Sequence, residues 1–512
     1  MPPRTNDNAT PDTDADTHTD TGTDADADTH TDTGTGTDAD ADIDAPDAPD
    51  AASDTSAASA ASATSGVPPR RRRSAQLGFC ALALAVAMTA GAVVVGALRD
   101  DGGTAPALAT TGAGVSQQVL ASGDLDRSIT SLQAHLRSQP ADFGGWATLG
   151  LAYVEQARTK GDPSRYPQAQ KALDRSLKLR PRYDPALAGR AALAAARHDF
   201  TGALKYADLA LEQNPYSERA LCSRIDALVE LGRYGEASKA ADLADSRRPG
   251  VPVFTRYAYV HELRGDVKTA RRVLRQALAT ATSRGDIAYV ASALGQLAWN
   301  QGDYDSALSF YARALAADDG YLPALEGRAR AQAAKGDRAA AITGMEQLVQ
   351  RYPLPQPLVE LGELYEARGK TGDREKAREQ YALVNAWVSL ARANGVDADL
   401  DTALAAADHG DHRAALKAAR DEWARRHTVH TADALAWALH VSGRDAEALP
   451  LAREATATGY RNASFLYHRG VIERATGHRK EARATLASAL ELHPGFSPLG
   501  AEAARAALKA AR

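Results

Sequence analysis

One short glycine-rich segment has residue types that could bind a phosphate group. Residues 368–372 read Arg-Gly-Lys-Thr-Gly, and a lysine followed by threonine after a glycine is part of the nucleotide-binding phosphate loop. That loop needs another glycine five residues before Gly369, where this chain has Leu364. The loop also follows a β-strand, whereas this segment lies between two predicted helices. The sequence therefore predicts no nucleotide site here.

Histidines with the spacing of metal ligands occur twice near the C-terminal part of the chain. His409 and His412 form one pair, and His427 and His430 form the other. The repeat described below places the first pair at the start of a helix and the second at or past its end. About fifteen helical residues then separate the pairs by roughly 22 Å, so one site cannot use all four. His440 adds at most a third ligand to the first pair, which is an incomplete set. We therefore expect surface histidines near helix ends and no metal site.

No other motif in the sequence indicates catalysis. The chain has no HExxH, no GxSxG, no cysteine–histidine nucleophile context and no glycine-rich dinucleotide turn. We predict that the protein is not an enzyme and has no cofactor. Sixteen aspartates against one arginine give residues 1–69 a formal charge of −15, and the whole chain carries −5. Residues 70–512 therefore carry about +10, with four of those charges at residues 70–73, which predicts no nucleic-acid partner.

The N-terminal quarter of the chain predicts a membrane anchor. Residues 1–73 are an acidic, low-complexity segment that ends in an arginine run, and we expect a disordered cytoplasmic tail. Residues 74–98 contain an uncharged run of 22 residues, Leu77–Leu98, long enough for a transmembrane helix. The arginines before this run place the N-terminus in the cytoplasm and the rest of the chain outside the plasma membrane. A cleaved signal peptide is the alternative, and residues 99–119 read as a flexible linker.

The rest of the chain repeats with a period of about 34 residues. A small residue recurs at spacings of 33 to 38 residues: Ala169, Ala203, Ala237, Ala270, Ala307, Ala341, Ala377, Ala415, Ala448 and Ala482. A glycine stands five residues before eight of these alanines, and a proline stands twelve residues after five of them. The glycine permits a left-handed helix cap, the alanine lets two helices approach closely, and the proline ends the second helix. Each unit is therefore a helical hairpin that buries its apolar face against its neighbours.

This pattern resembles the tetratricopeptide-repeat (TPR) family. The first unit has Trp146, Leu149, Gly150 and Tyr153 at the family's positions in the first helix, and Ala169 in the second. The resemblance implies an all-α fold, a right-handed α-solenoid of about ten hairpins. Repeats one to seven would span residues 120–394 and repeats eight to ten residues 395–496, followed by a capping helix at 497–512. The composition is typical of a bacterial, actinobacterial source.

The resemblance also implies where a partner would bind. In TPR solenoids the first helices line a concave groove, with positions 2, 5, 9, 12 and 13 of each unit facing it. In units four to six these positions hold Tyr259, Glu262, Tyr289, Gln296, Trp299, Asn300, Glu326 and Arg330. We expect Trp299 to be partly exposed as an interface anchor, and Trp146 to be core.

These features predict a membrane-anchored scaffold that binds partner polypeptides of unknown identity on its concave face. One alternative is an accessory subunit of a cell-envelope or transporter assembly, in which the transmembrane helix also packs against partners. The other is an enzyme with a cryptic metal or glycan site.

Overall fold

The computed structural model describes residues 125–160, 162–397 and 399–510, without the side chains of Thr159 and Asp401. All of these residues belong to one compact unit, Gln76–Arg512. The predicted tail (1–73), transmembrane helix (74–98) and linker (99–119) lie outside the described residues. None of the helices in the described part combines the length and hydrophobicity that crossing a bilayer requires.

The described residues form twenty-two α-helices, one 3₁₀ turn and no strand. The helices are α1 (Leu125–Ser138), α2 (Phe143–Lys160), α3 (Tyr166–Leu179), α4 (Asp184–Ala196), α5 (Phe200–Gln213), α6 (Glu218–Glu230), α7 (Tyr234–Arg247), α8 (Val251–Glu262), α9 (Val267–Thr280), α10 (Arg284–Asn300), α11 (Tyr304–Ala317), α12 (Leu322–Ala334), α13 (Arg338–Arg351), α14 (Pro355–Arg368), α15 (Asp373–Ala393), α16 (Asp399–His409), α17 (His412–Arg425), α18 (Val429–Val441), α19 (Asp445–Ala455), α20 (Ala463–Ala475), α21 (Arg479–Leu492) and α22 (Gly500–Ala510). The 3₁₀ turn is Pro163–Arg165, between α2 and α3.

Helices α2 to α21 pair in sequence into ten hairpins, which we number as units one to ten. The all-α solenoid architecture is confirmed. All ten recurring alanines lie in the second helix of their unit, and none is more than 1% exposed. Alanine fits at these buried positions because a larger side chain would hold the two helices of the hairpin apart.

The turn inside each hairpin has its own local signals. In several units an aspartate before the second helix accepts a backbone N–H, as Asp266 does from Thr269 (3.0 Å) and Asp337 from Ala340 (3.0 Å). This contact satisfies one of the free donors at a helix N-terminus. Many of the turn glycines have positive φ, including Gly232 at 72° and Gly443 at 74°. The hairpins are therefore specified by residues close in sequence.

Units six apart along the chain pack against each other. The turn inside unit three meets the loop before unit nine, where Val429 N–H donates to the Tyr234 hydroxyl (3.0 Å). A Cβ on Gly265, inside unit four, would lie 2.5 Å from the carbonyl oxygen of Gly459, before unit ten. A Cβ on Gly302, inside unit five, would lie 2.5 Å from the carbonyl oxygen of Leu492, the last residue of unit ten. The solenoid therefore completes a turn in about six units, and its second turn rests on the first.

The long helix α15 continues this packing at the start of the solenoid. It extends through 21 residues to Ala393. Val384, Trp387 and Val388 on its extension belong to the same hydrophobic core as Ile129 and the other apolar residues of α1 to α3. Unit seven thus packs at the level of unit one, six units earlier.

Candidate binding site on the concave face

The first helices of successive units are joined by polar contacts between their side chains. Along α6 to α14, Arg256 pairs with Asp226 (2.8 Å), Asn300 donates to Glu262 (2.7 Å), and Arg330 donates to Gln296 (3.4 Å) and to Glu360 (2.7 and 2.9 Å). Along α14 to α20, His409 contacts Glu363 (3.3 Å), Trp437 donates to Asp408 (2.7 Å), and His468 contacts Asp433 (3.0 Å). We call this series the polar ladder. Each contact joins neighbouring first helices.

Half of the eight residues predicted to line a groove in units four to six belong to this ladder: Glu262, Gln296, Asn300 and Arg330. Gln296 also donates to Asn300 (2.8 Å), and the Tyr311 hydroxyl donates to Gln296 (3.4 Å). Glu326 forms an ion pair with Arg330 and is 2% exposed. These side chains therefore stabilise the stack of helices, and a partner would have to compete with the existing contacts.

Glu262 is also buried, and the two predicted tyrosines outside the ladder, Tyr259 and Tyr289, are partly buried. Burial raises the pKa of Glu262 to about 7, although its hydrogen bond from Asn300 opposes the shift. Burial also raises the pKa of Tyr259 well above its usual value. The Tyr289 hydroxyl donates to the Thr255 hydroxyl (3.2 Å). Glu262 therefore offers little free surface to a partner, whereas Tyr259 and Tyr289 keep part of their surface exposed.

Trp299 differs most from its predicted environment. It is 9% exposed, and its ring meets those of His493 (4.3 Å between centroids) and Tyr304 (5.7 Å). The expectation of partial exposure was wrong because His493 comes from the second turn of the solenoid. Trp146, expected to be core, is only partly buried, and its indole N–H donates to the carbonyl of Pro140 (3.0 Å).

A cavity of about 820 Å³ lies between the first helices of units five to ten and the segment after α21. Of the eight predicted groove residues, Trp299 and Arg330 line it. The other walls combine aromatic rings and carboxylates from units seven to ten: Glu363, Asp408, Asp433, Trp437, Phe465 and Tyr467. A volume of this size is typical of a site for a small molecule or a few residues of a peptide.

The electrostatic environment of the cavity is negative at its α16–α20 side. Burial by itself lowers the pKa of a histidine, yet the charge and hydrogen bond of Asp433, with the charge of Asp408, raise the pKa of His468. In the same way burial acts against His409, and Glu363 and neighbouring carboxylates raise its pKa. On the opposite wall, Arg330 is neutralised by its two carboxylate partners. The carboxylates of Glu363 and Asp433 are therefore already paired with His409 and His468, and burial raises the pKa of Glu363 itself.

The histidines that were expected to lie on the surface divide into two groups. His412 and His427 are exposed. His409 is buried, because it ends α16 instead of starting the next helix, and its ring stacks on Tyr381 (4.2 Å). Burial, together with the charge of Arg426, lowers the pKa of His430 to about 4. Within the described residues, no three His, Cys, Asp or Glu side chains are grouped closely enough to hold a metal ion.

The segment with a glycine, lysine and threonine is a helix cap. It follows helix α14, and its Lys370 N–H donates to the carboxylate of Asp373 (2.8 Å) at the start of α15. The side-chain hydrogen bond from Arg368 lowers the pKa of Asp373 to about 2. The amide nitrogen of Lys370 therefore binds a carboxylate of the same chain.

Most of the cavity residues were missed because the groove rule was applied only to units four to six. The same positions in unit seven are Gln356, Val359 and Glu363, and all three line the cavity. In unit nine they include Asp433 and Trp437, which also line it. The signal for these residues was therefore present in the repeat.

Comparison with known sequences identifies the repeat directly. One tetratricopeptide-repeat model matches residues 154–218 and 258–321, and a second matches residues 324–354. The chain contains tetratricopeptide repeats. Tetratricopeptide-repeat proteins generally act as scaffolds for protein interactions.

Several solved structures resemble the chain at low sequence identity. A repeat protein from Parabacteroides merdae is 17% identical, with 51% of this chain and 93% of that chain covered and a TM-score of 0.37. TTC0263 from Thermus thermophilus is 25% identical, with coverages of 36% and 99% and a TM-score of 0.33. The Cut9–Hcn1 structure is 14% identical, with coverages of 77% and 83% and a TM-score of 0.35. No curated protein matches the sequence.

Proposed function

We propose that this protein is a membrane-anchored scaffold that binds a partner polypeptide in the cavity enclosed by units five to ten. The observation that carries the proposal is the cavity itself, because aromatic rings and carboxylates from successive first helices converge on it. Aromatic side chains supply most of the binding energy at protein interfaces, and carboxylates select the charge of the partner.

The cavity is a better site than the groove of units four to six. In that groove, binding would break contacts such as Asn300–Glu262 and leave buried polar groups without partners. Tyr467 instead is only partly buried and lines the cavity, where its ring also contacts that of the buried Trp437. A partner peptide can therefore bury apolar surface there without opening the fold.

Site-specific photocrosslinking tests this location. Gln356 is exposed and lines the cavity, whereas Gln347 is exposed on the second helix of unit six and does not line it. We expect a photoreactive residue at position 356 to capture a discrete partner in cells, and the same residue at position 347 to capture none. Equal capture at both positions, or capture at 347 alone, would contradict the proposed site.

The anchor is proposed to hold the solenoid outside the cytoplasm at the plasma membrane. The uncharged run Leu77–Leu98 and the arginines at residues 70–73 support this orientation. A reporter that is active only outside the cytoplasm should work when fused after Arg512 and fail when fused before Arg70. The reverse pattern would overturn the proposed topology.

A further inference from the structure

The segment that follows unit ten runs along the cavity and contacts units of the first turn. Gly495 N–H donates to the Tyr304 hydroxyl (2.8 Å) at the start of α11. The Ser497 hydroxyl donates to a carboxylate oxygen of Glu363 (3.0 Å) on α14. Residues 494–503 form part of the cavity wall. The segment therefore contacts the concave side of units five to seven through its backbone and side chains, as a bound peptide would.

The backbone of the segment approaches the helices closely. A Cβ on Gly495 would lie 2.9 Å from the Cβ of Ala334, at the end of α12. On the other side of the cavity, the ring of Phe496 meets that of Tyr467 (5.7 Å between centroids). Three consecutive residues thus each make a different contact. Gly495 fits against Ala334, the Phe496 ring contacts Tyr467, and the Ser497 hydroxyl donates to Glu363.

The segment is more exposed to solvent than the residues at its two ends. His493 is 2% exposed and Ala501 is 3% exposed, so both ends are fixed in the core. The residues between them are all partly or fully exposed. The middle of the segment can consequently leave its position while the flanking helices α21 and α22 keep their packing.

We propose that Gly495–Leu499 is an intramolecular ligand of the concave face of units five to seven. A partner segment with an aromatic residue followed by serine or threonine competes with it for the same positions. The inference rests on the proposed function, because it assumes that the cavity is where a partner binds. A tethered ligand acts at an effective concentration of about 1 mM. A partner segment therefore binds well only when its concentration and affinity together outweigh those of the tethered segment.

The test uses a synthetic peptide with the sequence of residues 492–500, carrying a photoreactive benzoylphenylalanine in place of the phenylalanine. It is added to the purified full-length chain and to a Phe496→Ala/Ser497→Ala variant. In this variant the tethered segment has lost the ring contact with Tyr467 and the hydrogen bond to Glu363, together with the hydrogen bond that the Ser497 hydroxyl accepts from Gly500 N–H at the start of α22. We expect at least tenfold more labelling of the variant, at residues of α14 and α20. Adding Glu363→Gln to the variant should reduce labelling, because Glu363 accepts the hydroxyl hydrogen bond. Equal labelling of the wild type and the variant, or no labelling of either, overturns the inference.

A disulfide provides a second test that does not depend on those two side chains. The short separation of the Cβ positions lets cysteines in an Ala334→Cys/Gly495→Cys variant bond after a small shift. The oxidised form should exclude the peptide, and reduction should increase labelling at least tenfold. Labelling that is independent of reduction overturns the inference. If partner capture at position 356 persists while the peptide fails in both tests, the proposed function stands and only the intramolecular ligand is rejected.

Discussion

The contact between turns of the solenoid predicts different effects for two glycines in equivalent positions. Gly232 and Gly443 both lie in the turn inside their unit, with φ of 72° and 74°. A Cβ on Gly232 would lie 1.8 Å from the carbonyl oxygen of His427, whereas a Cβ on Gly443 meets no atom within 4 Å. Both Gly→Ala substitutions place alanine in the left-handed region, at a cost of about 1–2 kcal/mol. Only Gly232→Ala adds a collision with the second turn of the superhelix, at the carbonyl oxygen of His427.

The extra cost of Gly232→Ala should be about 1–3 kcal/mol, the range for overpacking a well-packed contact. Repeat proteins can open locally, so hydrogen exchange measures this cost better than a single unfolding midpoint. The amide of Val429, which donates to Tyr234 across the two turns, is the reporter. We expect its exchange to accelerate roughly 5- to 100-fold in Gly232→Ala, at 1.4 kcal/mol per factor of ten. Gly443→Ala should leave it unchanged, and equal acceleration by both substitutions would refute the stacking of the turns.

Three further predictions concern buried side chains. Burial lowers the pKa of His493 to about 4, against about 6.5 in the unfolded chain, so only the unfolded state binds the proton between those values. His493 alone should therefore contribute a loss of about 3 kcal/mol of stability as the pH drops from 6.5 to 4, and denaturant titrations of His493→Phe should show a shallower pH dependence than the wild type. Trp299→Ala should cost about 3–5 kcal/mol and Trp146→Ala clearly less, because Trp299 is the more buried ring; equal costs in the same titration would contradict this ranking. Arg256→Met should cost about 3–5 kcal/mol because it leaves the buried Asp226 carboxylate unpaired, and replacing both residues by apolar ones should restore part of that loss.

The hairpins could be predicted from the sequence because each depends on residues close along the chain. The recurring alanines, the turn glycines and the prolines all act within one unit of about 34 residues. The helices that they bound were found in the structure, including the ten second helices with their buried alanines. One position of this frame was wrong: His409 ends a first helix, because Gly410 and Asp411 form the turn after it.

The closing of the superhelix could not be predicted in the same way. Its pitch depends on small rotations between neighbouring units, and a small error in each rotation accumulates over six units. The contacts that result join residues far apart in sequence, as between Trp299 and His493. The position of Trp299 in its helix indicates the concave side, but its burial depends on a ring 194 residues away, which no local pattern shows.

The polar ladder could be predicted from the sequence in part, because its contacts join residues about one repeat apart. Arg330 and Glu360 are 30 residues apart, and Glu262 and Asn300 are 38 apart, so each pair is separated by about one unit. In a stack of hairpins, residues of the first helix that differ by one period are spatial neighbours. A charged or amide side chain at one groove position therefore finds its partner in the next unit, and the groove residues of units four to six are consumed by each other. The pairing continues through units seven to ten, where His409, Trp437 and His468 each contact a carboxylate of the preceding first helix. There the segment after α21 enters the concave side and encloses the cavity. The space for a ligand on the concave face is therefore set by where the segment after α21 crosses it, and the polar ladder continues past this place without a break.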